Sequence, residues 1–142
     1  MHHPWRAFRA LADWTLRWSH LPTGVLGLTD HHHRTITLDP RQSQAERRCT
    51  LAHELEHVRR GPMPTDPRAA AREESAVEQA TARALIELGA LGDALAWSLD
   101  VHEVAEALWV DVDTLLTRLQ HLHPSERHYL RRRLEHHDES AA

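Results

Sequence analysis

The sequence is poor in several residue types that mark other classes of protein. It has one cysteine, Cys49, in 142 residues, which excludes an intramolecular disulfide and a thiolate metal cluster. All 17 basic residues are arginine, and lysine and asparagine are absent. No apolar run reaches the length of about 18 residues that a membrane span requires, and the N-terminal residues lack the basic start and apolar core of a signal peptide. We therefore expect a soluble, cytoplasmic protein.

Histidine is the residue type in excess. Fourteen histidines accompany 17 basic and 21 acidic residues, and the net charge is −4 with histidine neutral. This acidic balance argues against broad electrostatic binding to nucleic acid or membranes. Histidine is the commonest metal ligand and an acid–base group at neutral pH. The length is that of one domain, so a metal or catalytic site would have to be built within it.

Hydrophobic periodicity predicts a mostly helical chain with one small hairpin. Ser43 followed by Glu46 predicts a capping box at the start of a long helix. The five tryptophans are expected in the core because large aromatic side chains gain most from burial. The predicted helices cover residues 5–18, 44–60, 68–88, 91–99, 101–109, 113–122 and 124–136, and the predicted hairpin pairs 25–29 with 35–38.

A five-residue motif with metal-binding spacing lies inside the helix predicted over 44–60. It reads His53-Glu54-Leu55-Glu56-His57, the HExxH pattern. Residues four apart share a helix face, so His53 and His57 can both direct an imidazole nitrogen at one cation. Glu54 lies beside that position and can take a proton from an attacking water and pass it to a leaving amine. The motif predicts a metal-dependent hydrolase.

The next predicted helix supplies candidates for a third ligand. A catalytic zinc takes three protein ligands and keeps one position open. Glu74 and Glu78 lie four residues apart and share a face. One can ligate the metal while the other hydrogen-bonds a ligating histidine and fixes its tautomer. We favour Glu74 as the ligand and Glu78 as its supporting carboxylate, and the reverse assignment stays open on spacing alone.

Together these residues carry a resemblance to a known family. The sequence resembles the ImmA/IrrE family of metallo-endopeptidases, in particular its compact phage and actinobacterial members. The resemblance covers about residues 20–122. Two departures are the Glu at position 78, where the family has Asn or Asp, and the missing aromatic after it. The segments that carry the resemblance are Arg48-Cys49-Thr50-Leu51-Ala52-His53-Glu54-Leu55-Glu56-His57, Glu74 with Glu78, Ala82-Arg83-Ala84-Leu85-Ile86 and Glu103-Val104-Ala105-Glu106-Ala107-Leu108-Trp109-Val110.

The resemblance implies an α+β, zincin-like fold and a zinc ion held by two histidines and one glutamate, with Glu54 as general base. A small sheet would pack on the HExxH helix, and the glutamate-bearing helix would lie across it. The expected organisation of the single domain 1–142 is a core over 1–100, a helical subdomain over 101–136 and a frayed tail over 137–142. Family members typically make limited cuts in a helix-turn-helix repressor, so the implied partner is such a protein.

A second hypothesis comes from the C-terminal half. Residues 101–122 match the apolar pattern of a helix-turn-helix, with Trp109 at the turn position that glycine often holds. The second of these helices begins Asp111-Val112-Asp113, which is acidic where phosphate contacts require basic groups, and this argues against direct DNA binding. The alternative to an enzyme is a non-catalytic regulatory module of the same fold that binds a repressor or DNA.

Overall fold

Seven helices and three short strands make up residues 2–142, which are the residues described by the structure, a computed structural model. The architecture is α+β, with a small sheet and mostly helices, as the sequence predicts. The elements in chain order are α1 Pro4–Arg9, β1 Thr15–Trp18, β2 Gly27–Asp30, β3 Thr35–Leu38, α2 Gln44–Arg60, α3 Pro67–Leu85, α4 Leu88–Trp97, α5 Val101–Leu108, α6 Val112–Gln120 and α7 Pro124–Ala141.

The sheet has the order β1-β3-β2, with β3 at its centre. The predicted hairpin is confirmed, because β2 pairs antiparallel with β3 and places Thr29 opposite Ile36. Ile36 and Leu38 are fully buried and pack with Leu51 of α2. The alternation of β3 thus presents one apolar face to the helix. The strand β2 lies at the edge of the sheet and contacts α2.

The helix predicted over 5–18 is wrong beyond its first half. The helix α1 ends at Arg9, and Thr15–Trp18 is the strand β1, which runs parallel to β3 and pairs Thr15 with Thr35. A parallel partner lies across a long connection, so the pairing that makes this segment a strand is not visible in its local pattern. Tertiary pairing has overridden a weak helical periodicity here.

The helix α2 begins and ends where the sequence predicts. Ser43 accepts a hydrogen bond from the Glu46 backbone at 3.2 Å, and the Glu46 carboxylate accepts one from the Ser43 backbone at 3.0 Å. This capping box is therefore confirmed. The helix ends at Arg60, and the next residue, Gly61, has a φ of 93°, which is open to glycine and costly for other residues.

Two other predicted helix boundaries are wrong. The helix α3 ends at Leu85, not near Gly89, and Gly89 lies inside α4. The last helix continues to Ala141, so residues 137–142, expected as a frayed tail, are helical through Ala141. In this last turn Ser140 donates its hydroxyl to the carbonyl of His136, one turn earlier. The sequence gives little indication of these two helix ends, because neither is followed directly by a glycine or a proline.

The glutamate-bearing helix α3 packs against α2 and α6, so α2 lies between it and the sheet. A second apolar cluster lies among the helices and contains Ile86, Leu91 and Leu115, all fully buried. A buried carboxylate joins three helices, since Glu126 of α7 accepts from Arg118 of α6 at 2.7 Å and from Arg83 of α3 at 2.9 Å.

The expectation that all tryptophans are buried is wrong for Trp18, Trp97 and Trp109, which are 46%, 67% and 51% exposed. Among residues 2–142, none of the helices combines the length and apolar composition needed to cross a bilayer.

Candidate metal centre

The two histidines of the motif lie one turn apart on α2, at the boundary between core and solvent. Their side chains are 23% and 10% exposed for His53 and His57, and their ring centroids are 4.9 Å apart. Leu51 on the same helix is fully buried against the sheet, and this fixes the rotation of α2 about its axis. The imidazoles therefore project from the edge of the buried face and stay open to a cleft.

Glu74 of α3 faces both imidazoles. Its Oε1 lies 2.7 Å from Nε2 of His53, and its Oε2 lies 2.9 Å from Nε2 of His57. One ligand atom from each of the three residues lies within 4.8 Å of the others. Two imidazole nitrogens and a carboxylate oxygen are a donor set that suits zinc and related divalent ions. The three residues form a group that can hold one metal ion.

Glu78 occupies a different position. It lines the same cleft one turn further along α3, but it is exposed and lies outside the group of three. The arrangement favours Glu74 as the ligand, and the supporting role assigned to Glu78 stays a prediction.

Glu54 is the most buried carboxylate of the cleft, with 6% of its surface exposed. Its Oε2 accepts a hydrogen bond from the hydroxyl of Thr29 at 2.6 Å. Thr29 belongs to the edge strand β2, so the sheet holds the carboxylate of a residue on α2. A hydrogen bond to one carboxylate oxygen fixes the side-chain rotamer and leaves the other oxygen available. The geometry thus places an oriented carboxylate in the same cleft as the candidate metal group.

Close approach of β2 to α2 depends on a glycine. A Cβ atom built on Gly27 would lie 2.7 Å from Cγ2 of Thr50 and 3.1 Å from Cγ of Glu54. Atoms at such distances overlap, so only glycine allows the strand to lie this near the helix. The contact brings Thr29 within reach of Glu54. Gly27 therefore sets the spacing on which the position of the Glu54 carboxylate depends.

A cleft of about 1220 Å³ runs past these residues. The edge strand β2 forms one wall, and the helix α6 contributes the opposite one through residues that include Asp113 and Thr117. The lining also contains exposed apolar side chains, among them Leu28 and Met63. Six acidic residues and no arginine line the cleft, and the acidic ones are Asp30, Glu54, Glu74, Glu78, Asp111 and Asp113. The cleft is long, apolar in part and electronegative.

The sequence predicts the site residues on α2 and α3 but not those on the other walls of the cleft. It did not identify Thr29 or Gly27 as part of the site, although a glycine within a strand pattern is a known signal of close backbone approach. The acidic start of α6, Asp111-Val112-Asp113, argues in the sequence against DNA binding and in the structure adds two carboxylates to the lining of the cleft.

Comparison with known proteins gives one match. The family model described as the IrrE N-terminal-like domain, a peptidase family, matches residues 20–120. That span contains β2, β3, α2, α3 and α6, and hence the edge strand, both histidines, Glu54 and Glu74. No curated protein and no solved structure matches the chain.

Proposed function

The chain belongs to the ImmA/IrrE peptidase family, and from that membership we propose that it is a zinc-dependent endopeptidase of the HExxH type that acts in the cytoplasm. Membership supports metallopeptidase activity in general. The observation that carries the specific proposal is the convergence of His53, His57 and Glu74 beside the buried, hydrogen-bonded carboxylate of Glu54. We assign the first three as zinc ligands and Glu54 as the catalytic base.

Zinc fits this group by the chemistry of its donors, two neutral imidazoles and one carboxylate. A bound zinc would polarise the scissile carbonyl and lower the pKa of a bound water, which is what an amide needs in order to be attacked at neutral pH. The chain supplies the rest of the site. His53 and His57 direct Nε2 toward Glu74, so the helix α2 and the helix α3 each fix part of the ligand set.

Proton transfer falls to Glu54. Its carboxylate is held by Thr29 through one oxygen, and the second oxygen can accept a proton from the attacking water. The same carboxyl group then donates that proton to the leaving amine, which is poor as a leaving group unless protonated. Burial of Glu54 limits competing solvent contacts and keeps the group in one orientation.

An extended peptide fits the cleft better than a folded surface does. The outer edge of β2 faces no further strand in the sheet, so its backbone groups can pair with an extended segment. The acidic lining favours a segment with arginine or lysine, because opposite charges steer and retain a partner. The basic DNA-binding surface of a helix-turn-helix repressor has this character, and limited cleavage of such a repressor is the function we propose.

We further propose that residues 1–142 act as one domain in which 1–100 form a zincin-like core and 101–136 a subdomain of helix-turn-helix type. The helix α6 of that subdomain lines the cleft and packs on α3. This position supports a role in substrate binding more than in DNA binding, since a helix that lies in a DNA groove must be free on its outer face.

Glu54→Gln tests the catalytic assignment. We expect it to retain zinc and the fold and to lose cleavage of a repressor-like substrate, such as one encoded beside this gene. Glu73→Gln is the matched control, because Glu73 is adjacent to Glu74 but pairs with Arg60 at 3.1 Å and lies outside the metal group. If the wild type and Glu54→Gln act equally on the partner, the protein is the non-catalytic module and the enzyme proposal fails.

Metal content tests the ligand assignment separately. Zinc measured per chain should fall more in Glu74→Ala than in Glu78→Ala. The opposite order would exchange their roles, and full zinc in both variants would remove α3 from the site.

A further inference from the structure

A second pocket lies outside the cleft. Residues of α1, the first two turns of α2 and the Trp109 side chain enclose a volume of about 450 Å³. It shares no lining residue with the metal cleft. Its volume lies in the range of small-molecule sites. The proposed peptidase activity makes no use of this pocket.

The pocket concentrates positive charge. Four of its lining residues are arginines, Arg6, Arg9, Arg47 and Arg48, and no acidic residue lines it. Within residues 2–142, none of these four guanidiniums forms an ion pair with a carboxylate. Like charges held together repel one another. In a chain of net charge −4, such a cluster is a local arrangement and not a reflection of overall charge.

Arg48 makes the arrangement costly. It is 2% exposed, and its guanidinium donates to the carbonyl of Trp109 at 2.9 Å and to the carbonyl of His2 at 3.3 Å. Burial lowers the pKa of Arg48, because the charged form loses hydration. Carbonyl oxygens orient the group without neutralising it. Beside it, Nε of Arg47 is buried and has no hydrogen-bond partner. The pocket thus holds donors that lack an anionic acceptor.

Trp109 adds an aromatic surface at the same place. It is the residue after α5, and its φ of 57° puts it in the left-handed region where glycine is usual. Its ring lies 5.5 Å from Cζ of Arg48 and remains 51% exposed. The backbone conformation carries an energetic cost for a side chain of this size. A bulky, half-exposed aromatic in a strained position beside a buried arginine is a feature of binding sites.

We propose that this pocket binds a small phosphate-bearing ligand with a planar ring, of the nucleotide class. Arginine forks match phosphate oxygens in pairs, and four guanidiniums without a carboxylate partner suit a ligand with several negative charges. The exposed indole of Trp109 offers the ring a stacking surface next to a cation. The volume accommodates one such ligand and excludes a macromolecule from the pocket itself.

Titration calorimetry of the full-length protein with adenosine diphosphate tests the proposal. We expect binding that weakens as salt is added, because exposed charges are screened. Arg6→Gln and Arg47→Gln should each weaken binding about tenfold, as expected for loss of one charged hydrogen bond. Arg132→Gln on α7 is the matched control, since Arg132 is exposed and lies outside the pocket, and it should leave binding unchanged. Arg48 is left intact because its hydrogen bonds to main-chain carbonyls join separate parts of the fold.

Two further probes decide the ligand class. Adenosine alone should not bind. Inorganic pyrophosphate should bind the wild type more weakly than adenosine diphosphate does. In Trp109→Gly, which lacks the stacking surface, pyrophosphate and adenosine diphosphate should bind with the same affinity. No detectable binding at low salt, or equal loss in Arg132→Gln and Arg47→Gln, would overturn the site. An oligonucleotide that bound far more tightly than adenosine diphosphate would assign these arginines to a nucleic-acid surface and overturn the small-ligand proposal. None of these readouts depends on peptidase activity.

Discussion

Replacing Gly27 with alanine tests whether strand β2 needs glycine to lie against α2. The added methyl would meet Cγ2 of Thr50 at 2.7 Å and Cγ of Glu54 at 3.1 Å. Neither atom is the free end of a flexible chain, because both sit on a helix packed against the sheet. The strand or the helix must therefore move. The movement would separate Thr29 from Glu54, whose hydrogen bond is 2.6 Å long.

The size of the effect follows from two opposing terms. Overpacking by one methyl in a well-packed region costs about 1–3 kcal/mol. Alanine in place of glycine within a strand returns about 0.5–1 kcal/mol, because the unfolded chain loses less entropy on folding. We expect Gly27→Ala to lower the free energy of unfolding by about 1 kcal/mol, the difference between the centres of these two ranges.

Urea unfolding of five proteins, namely the wild type, the two single variants, their double variant and a control, measures this. Thr50→Ser removes the clashing methyl and retains the hydroxyl that donates to Gln42 at 2.6 Å. In the double variant Gly27→Ala with Thr50→Ser, most of the loss caused by the alanine should be recovered. Gly89→Ala is the matched control, because Gly89 has open space around its Cβ position and lies within α4. It should stabilise the protein by about 0.5–1 kcal/mol.

The double-variant cycle can refute the reasoning. If Gly27→Ala is as stable as the wild type, the strand does not depend on the close approach. If the effects of Gly27→Ala and Thr50→Ser add, with no coupling between them, the methyl of Thr50 is not what the alanine meets.

Three further predictions concern single groups. Glu126→Gln should lower the free energy of unfolding by about 3 kcal/mol in urea titrations, because it leaves the buried Arg118 without its anion. Hydrogen bonds from Arg118 hold the pKa of Glu126 well below its usual value of 4.5. The stabilisation from this ion pair is therefore complete above pH 4.5 and declines as the pH falls below 4.5. If the wild type and Glu126→Gln lose stability equally in acid, this reasoning is contradicted. Thr29→Val should lower kcat about tenfold with little change in KM, since it removes the hydrogen bond to Glu54, and an unchanged kcat would remove Thr29 from the site. Burial raises the pKa of the Cys49 thiol to about 11, so iodoacetamide at pH 8 should label it slowly until the protein unfolds, and rapid labelling of the native protein would show that the thiol is accessible.

The parts of the fold that the sequence predicts are those set by local chemistry. The capping box of Ser43 and Glu46 is satisfied within four residues, and the hairpin of β2 and β3 closes over a short turn. The i,i+4 spacing of His53 and His57 depends only on helix geometry. Such features can be predicted from the sequence because any other local conformation would lose an interaction between residues close in sequence.

The parts that could not be predicted depend on distant partners. The strand β1 exists because β3 lies beside it, and nothing between Thr15 and Trp18 indicates that pairing. The hydroxyl of Thr29 meets Glu54 only after the sheet has packed on α2, 25 residues away in sequence. Trp109 adopts a left-handed backbone that its own residue type disfavours, and the buried guanidinium of Arg48 below it supplies the contact. In each case the deciding energy comes from packing.

The contacts of the helix α2 also limit where the chain can accept an insertion or a deletion. Each turn between Gln44 and Arg60 has a different obligatory neighbour: the arginine pocket, the sheet, the edge strand or the helix α3. One inserted residue would rotate everything after it by about 100°, so no substitution elsewhere could restore all of those contacts at once. The turn over 31–34 and the loop over 61–66 carry no such demand. Insertions and deletions should therefore collect in those two connections, and the spacing from Ser43 to Gly61 should be a fixed length within which only side chains vary.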